Sequence, residues 1–163
     1  MQAEIVTLAQ QVGEALQAQG WTIATAESCT GGLIAAALTE IAGSSAWFDS
    51  AVVSYSNRAK QIWLQVSPIT LAKHGAVSEA VVIEMAQAMR QQAQVSLALA
   101  VSGIAGPGGG SAQKPVGTVW VGWCIESLTF ATCLHLKHGR AAIRQATVIQ
   151  AFKALLSAVP SPR

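Results

Sequence analysis

Nine residues in the second half of the chain, VSLALAVSG (Val95–Gly103), constrain the fold more than any other stretch. The run is apolar almost throughout and ends on a glycine. A strand with one wet face alternates apolar and polar side chains, whereas a strand covered on both faces does not. Such a segment needs packed layers above and below it, and the rest of the chain supplies helices for both.

Ile5, Leu8, Val12 and Leu16 recur at helical spacing, so the first twenty residues read as an amphipathic helix ended by Gly20. WTIATA (Trp21–Ala26) reads as a strand, followed by a turn at Ser28–Thr30 and a buried helix in GGLIAAALTEIAG. AVVSYS (Ala51–Ser56) is a second strand, and Asn57 is placed to cap a helix carrying Lys60, Ile62, Trp63 and Leu64. Ser67–Pro68 opens a short helix with a capping hydroxyl and a proline at its first position. Ser78 caps a longer one in which Val82, Met85, Ala86 and Met89 share a face. GTVWVGWCIE and LTFATCLHLK form a hairpin turning near Ser127. A last helix covers about Ala141 to Ser157, and the PSPR tail is expected to fray. Helices alternating with strands and then a hairpin predict a single three-layer α/β/α domain with a mixed central sheet, spanning residues 1–163.

Charged residues make up 11% of the chain and apolar residues 52%, against a usual charged share of about 25%. So little charge leaves part of the apolar excess for a subunit interface, and a homo-oligomer, a dimer or larger, is expected. No apolar run approaches the roughly 18 residues of a membrane span, and MQAEIVTLAQ lacks the basic cluster of a secretory signal. Three cysteines, Cys29, Cys124 and Cys133, cannot all pair and form no CxxC, which fits reduced thiols in the cytoplasm. The net charge of +2 is scattered rather than clustered, so nucleic acid is not an expected partner. No HExxH or Cys/His cluster suggests a metal.

Two glycine-bearing segments can carry chemistry. AESCTGG (Ala26–Gly32) sets three nucleophile types, Ser28, Cys29 and Thr30, at the passage from strand to helix. The first N–H groups of a helix lack internal partners and can hold a phosphate or a tetrahedral oxyanion. The same serine or threonine can equally serve as an N-cap, its commoner role. GIAGPGGGS (Gly103–Ser111) follows the apolar strand, where binding crevices of open α/β sheets lie. It matches neither GxGxxG nor GxxxxGK[ST], and reads as a ligand cradle or as a flexible loop.

A serine nucleophile needs a base. Of His74, His135 and His138, neither His74 nor His135 sits in a recognisable catalytic setting, a triad would need Asp49 or one of seven glutamates to orient its histidine, and His135 in an alternating strand reads as structural. Among the lysines, Lys60 lies one helical turn beyond Tyr55 and Ser56, amid Ile62, Trp63 and Leu64. Desolvation there would favour the neutral amine, able to take a proton from Ser28. The alternative is a lysine whose head reaches water.

The segments AESCTGG, SYSNRAK, HGAVSE, SGIAGPGGG and KPVGTVW, in this order, resemble the CinA C-terminal domain family from about Gln2 to Leu156. The resemblance is to members without a separate N-terminal CinA domain. It implies a serine amidohydrolase that turns nicotinamide mononucleotide and water into nicotinate mononucleotide and ammonia without a cofactor. By the same resemblance Ser28 is the nucleophile, Lys60 the base and Tyr55 its helper. Substrate contacts would come from Thr30, Gly31 and Gly32, from Gly103, Ala105, Gly106, Gly108 and Gly109, and from Arg140 and Arg144 as phosphate ligands. Two positions depart from the pattern. Arg58 stands where relatives often carry an acid, and His138–Gly139–Arg140 replaces a GDR-like segment. A cation at Arg58 would lower the pKa of Lys60 or simply face water.

Overall fold

The computed structural model describes residues 1–160. Along the chain run α1 (Ala3–Gln19), β1 (Ile23–Glu27), α2 (Leu33–Thr39), a 3-10 turn (Ser44–Ala46) and β2 (Phe48–Val53). Then come α3 (Asn57–Leu64), α4 (Pro68–His74), α5 (Glu79–Ala93), β3 (Leu97–Gly103), β4 (Thr118–Ile125), β5 (Leu128–His135) and α6 (Arg140–Ala158). The five strands form one sheet in the order β2-β1-β3-β4-β5. β1 is parallel to β2 and β3, while β3, β4 and β5 are antiparallel, so the sheet is mixed as expected.

The apolar run around β3 is the centre of this sheet, and Leu97 to Ser102 are all buried. Its two faces carry different sizes of side chain. Leu97, Leu99 and Val101 join a layer built with Leu8 and Val12 of α1, Ile34 of α2 and Phe152 of α6. Ala98 and Ala100, in register with Ala24 and Ala26 of β1, face Val81, Met85 and Met89 of α5. Alanine on that face lets α5 lie close to the sheet. Gly122 of β4, opposite Ala100, continues the same floor, and a Cβ there would sit 2.9 Å from the carbonyl oxygen of Val82. No helix among the described residues is long and apolar enough to cross a membrane.

Local differences from the sequence reading have simple causes. The second strand starts earlier and stops at Val53, leaving Ser54, Tyr55 and Ser56 outside it. Ser56, not Asn57, caps α3, because its backbone is extended and its hydroxyl accepts the N–H of Ala59 at 3.0 Å. Gly31 and Gly32 have positive φ (59° and 93°), so α2 starts only at Leu33. The last helix begins at Arg140. The hairpin turns through Glu126 and Ser127 between the paired Ile125 and Leu128. The tail expected to fray lies, from residue 161 on, outside the described residues.

Candidate active site

Because β1, β2 and β3 are parallel, their carboxyl ends emerge on one edge of the sheet, delivering Ser28, Ser54 and Ser102–Gly103 to the same place. From Ser54 the chain turns at the Ser56 cap into α3, and Lys60, one turn in, points back beneath that edge. Its Nζ lies 2.9 Å from Oγ of Ser28 and 2.7 Å from the carbonyl oxygen of Ser54. Two residues thirty-two positions apart thus meet in a dry spot, for Lys60 is only 1% exposed. Burial lowers the Lys60 pKa from 10.5 to about 8. Arg58, by contrast, is exposed, and burial rather than a neighbouring cation accounts for the depressed lysine.

The three adjacent nucleophile types are now distinguishable. Burial pushes the Cys29 thiol up to about 11, so it stays protonated near neutral pH. Thr30 is fully buried. Ser28 alone has its hydroxyl on an amine able to take its proton.

The α2 mouth differs from expectation. Its donors are already taken, because the fully buried carboxylate of Glu27 fills it. Oε2 accepts the N–H groups of Gly32 (3.0 Å) and Ile34 (3.1 Å), and Oε1 that of Ala35 (2.8 Å). The Gly31 N–H turns back onto the Ser28 carbonyl at 3.0 Å. Thr30, Gly31 and Gly32 therefore lie off the cleft wall. Arg144 is likewise spent on backbone, its Nε donating to the Cys29 carbonyl (3.1 Å) and its Nη2 to the Thr30 carbonyl (2.6 Å). Both guanidinium contacts brace the turn instead of reaching for a phosphate.

In front of Ser28 and Lys60 opens a cleft of about 270 Å³. The predicted Gly103, Ala105, Gly106, Gly108 and Gly109 form one wall, and Arg140 and Tyr55 stand at another. Glycine is required at two of these positions by close approach. A Cβ at Gly103 would come within 2.6 Å of Val119, and one at Gly106, whose φ is 78°, within 2.5 Å of Val116. Arg140 ties the walls together, donating from Nη1 to the Gly106 carbonyl (2.8 Å) and from Nη2 to the Tyr55 hydroxyl (2.7 Å). Tyr55 is 58% exposed, and its hydroxyl bonds Arg140 rather than Lys60. The departure at His138 is a left-handed residue (φ 85°) exposed just before α6, and it leaves Arg140 at the cleft.

Sequence reasoning missed Glu27, Asn57 and Ser102. The last two line the cleft, and a hydroxyl interrupting an apolar strand was a readable sign of Ser102. Lys60 and Arg140 are the charged residues on the lining and no carboxylate is among them, so the cleft suits an anion.

The CinA C-terminal domain family matches residues 5–159. The chain is 48% identical over 156 residues to the nicotinamide-nucleotide amidohydrolase PncC of Escherichia coli (strain K12), covering 94% of this chain and 93% of that protein. It is 45% identical over 152 residues to the protein of the same name from Pseudomonas putida, covering 93% and 95%. The crystal structure of the competence/damage inducible protein CihA from Agrobacterium tumefaciens superposes with a TM-score of 0.93 at 43% identity, over 96% of both chains. With this fold, these ordered motifs and a match over nearly its whole length, the chain belongs to the CinA C-terminal domain family.

Proposed function

We propose that this protein is a nicotinamide-nucleotide amidohydrolase, hydrolysing the carboxamide of nicotinamide mononucleotide by a Ser28–Lys60 dyad. The observation that carries the reading is the buried 2.9 Å contact between Nζ of Lys60 and Oγ of Ser28. It is supported by the substrate named for relatives at 45–48% identity and by a cleft whose charged lining residues are cationic.

Neutral Lys60 accepts the Ser28 proton as Oγ bonds to the carboxamide carbon. The tetrahedral intermediate collapses with cleavage of the C–N bond, and the lysine returns its proton to the departing nitrogen, which leaves as ammonia. Water then attacks the acyl-enzyme with Lys60 again taking a proton, releasing nicotinate mononucleotide and restoring Ser28. The Ser54 carbonyl holds the lysine on line throughout. With the Gly31 and Gly32 amides engaged, the N–H of Cys29 and those of the glycine-rich wall border the place where negative charge develops. One such donor is worth about 3 kcal/mol, roughly a hundredfold in rate. Arg140 meets the phosphate, and Tyr55, bonded to it, orders that end of the cleft. Phosphate and ribose supply remote binding energy that fixes the amide against Ser28.

The test is ammonia release from purified protein with nicotinamide mononucleotide, free nicotinamide and simple amides in parallel. The mononucleotide should be turned over with a kcat/KM far above the others. Equal rates on free nicotinamide would remove the nucleotide part of the proposal, and no release from any would remove the enzyme.

A further inference from the structure

The geometry points to Glu27 and Arg144 as a pair of positioning residues that grip the Ser28 turn from its two sides, one by its N–H groups and the other by its carbonyls. This rests on the reading of Ser28 as nucleophile. Glu27 belongs to β1, yet its side chain reaches forward past Ser28 to the amides of Gly32, Ile34 and Ala35. The turn is thereby closed into a ring, covalent at Glu27 and hydrogen-bonded at its far end. An ordinary N-cap sits at the residue next to its helix and bonds one or two amides. Here the carboxylate comes from five residues before Gly32, is fully buried, and has no ion-pair partner among the described residues.

Arg144 completes the grip from α6, its guanidinium fork taking the carbonyls of Cys29 and Thr30. The amides at one end of the turn and the carbonyls in its middle are thus held by rigid elements on different sides. Gly31 and Gly32, both at positive φ, would otherwise leave this turn free to move. An attacking oxygen displaced by even 1 Å loses on the order of a hundredfold in rate. Charged groups bonded to backbone hold such a position more tightly than neutral ones.

Two isosteric or near-isosteric changes test this. In Glu27→Gln an amide nitrogen replaces one acceptor and faces backbone donors; in Arg144→Lys a flexible point donor on a single nitrogen replaces the planar fork that reaches the two carbonyls from Nε and Nη2. Ammonia release is measured per serine titrated with a sulfonyl fluoride, so misfolded molecules do not count. Each variant is expected to lose at least tenfold in kcat with KM within twofold of wild type, and to label Ser28 more slowly by a similar factor. A kcat and a labelling rate within twofold of wild type in both variants would overturn the inference, as would a loss confined to KM. If Glu27→Gln does not fold, Arg144→Lys at its half-buried position decides alone by the same criteria. Wild-type protein that labels at Ser28 but releases no ammonia defeats the functional reading, while the labelling rates of the variants still judge the grip.

Discussion

Lysine serves as a base only in the fraction of molecules where it is neutral, and that fraction is set by burial. With a Lys60 pKa of about 8, about half the enzyme is competent at pH 8, about a tenth at pH 7 and about a hundredth at pH 6. The ratio kcat/KM should therefore fall close to tenfold per pH unit below 8 and level off above about 9. An ordinary lysine at 10.5 would give a profile still climbing at pH 10. The assay is initial-rate ammonia release at substrate well below KM, from pH 6.5 to 10, above the second phosphate ionisation near 6. A midpoint at 10 or higher, or a profile flat down to pH 6.5, would refute the argument that a desolvated amine takes the Ser28 proton. The same displacement acts on stability. Folded Lys60 releases its proton near 8 while the unfolded chain holds it to 10.5, so unfolding takes up a proton between those values and stability rises with pH across that window. Below pH 8 both states are protonated, and the folded state carries the full penalty of a buried ammonium, roughly 3 kcal/mol.

Lys60→Met should abolish turnover and yet leave the fold at least as stable as wild type at pH 6.5 in urea unfolding, because the buried charge goes with it. Ser28→Ala should be inactive and folded, while Cys29→Ala should keep most ammonia release; the reverse pattern would transfer the nucleophile to the thiol. Arg140→Met should raise KM for the mononucleotide at least tenfold with a smaller change on a phosphate-free analogue, as steady-state kinetics would show. Exposed Ile62 and Trp63 on α3 and Ile69 on α4, in a chain with so little charge, are the surface where copies are expected to meet. Light scattering at micromolar concentration should give a dimer or larger, and Trp63→Glu should shift it towards monomer.

The layers were legible because β3 carries its evidence in one uninterrupted run: burial on both faces writes an apolar strand that only a three-layer arrangement accommodates. The cleft's position was half legible in the same strand: the glycines of Gly103–Gly109 at its carboxyl end read as a ligand cradle or as a flexible loop, and the fold sets them along a cleft wall. What composition could not show was the distribution of partners at the α2 mouth. A helix start with glycines looks open to a ligand in one dimension, and only the fold reveals that Glu27 has already taken three of its amides. A carboxylate directly before such a turn was the available sign, and in AESCTGG it stood beside the more conspicuous serine.

Arg144 and Tyr55 illustrate the same point from the opposite direction. Both residue types suggest direct work on substrate, and spacing cannot say which atoms their donors meet. The structure engages the guanidinium of Arg144 with the backbone of the Ser28–Thr30 turn and the hydroxyl of Tyr55 with Arg140. Lys60 is the inverse case: a residue that usually reaches water is almost wholly enclosed. That enclosure has a local origin. β2 ends at Val53, Ser56 opens α3, and one turn of helix carries position 60 back under the end of β1 before Leu64 packs into the core. The chemistry thus depends on where a strand stops. Had β2 continued through Ser56, as its β-branched residues suggest, α3 would start later, and its first turn would no longer return an amine to Ser28.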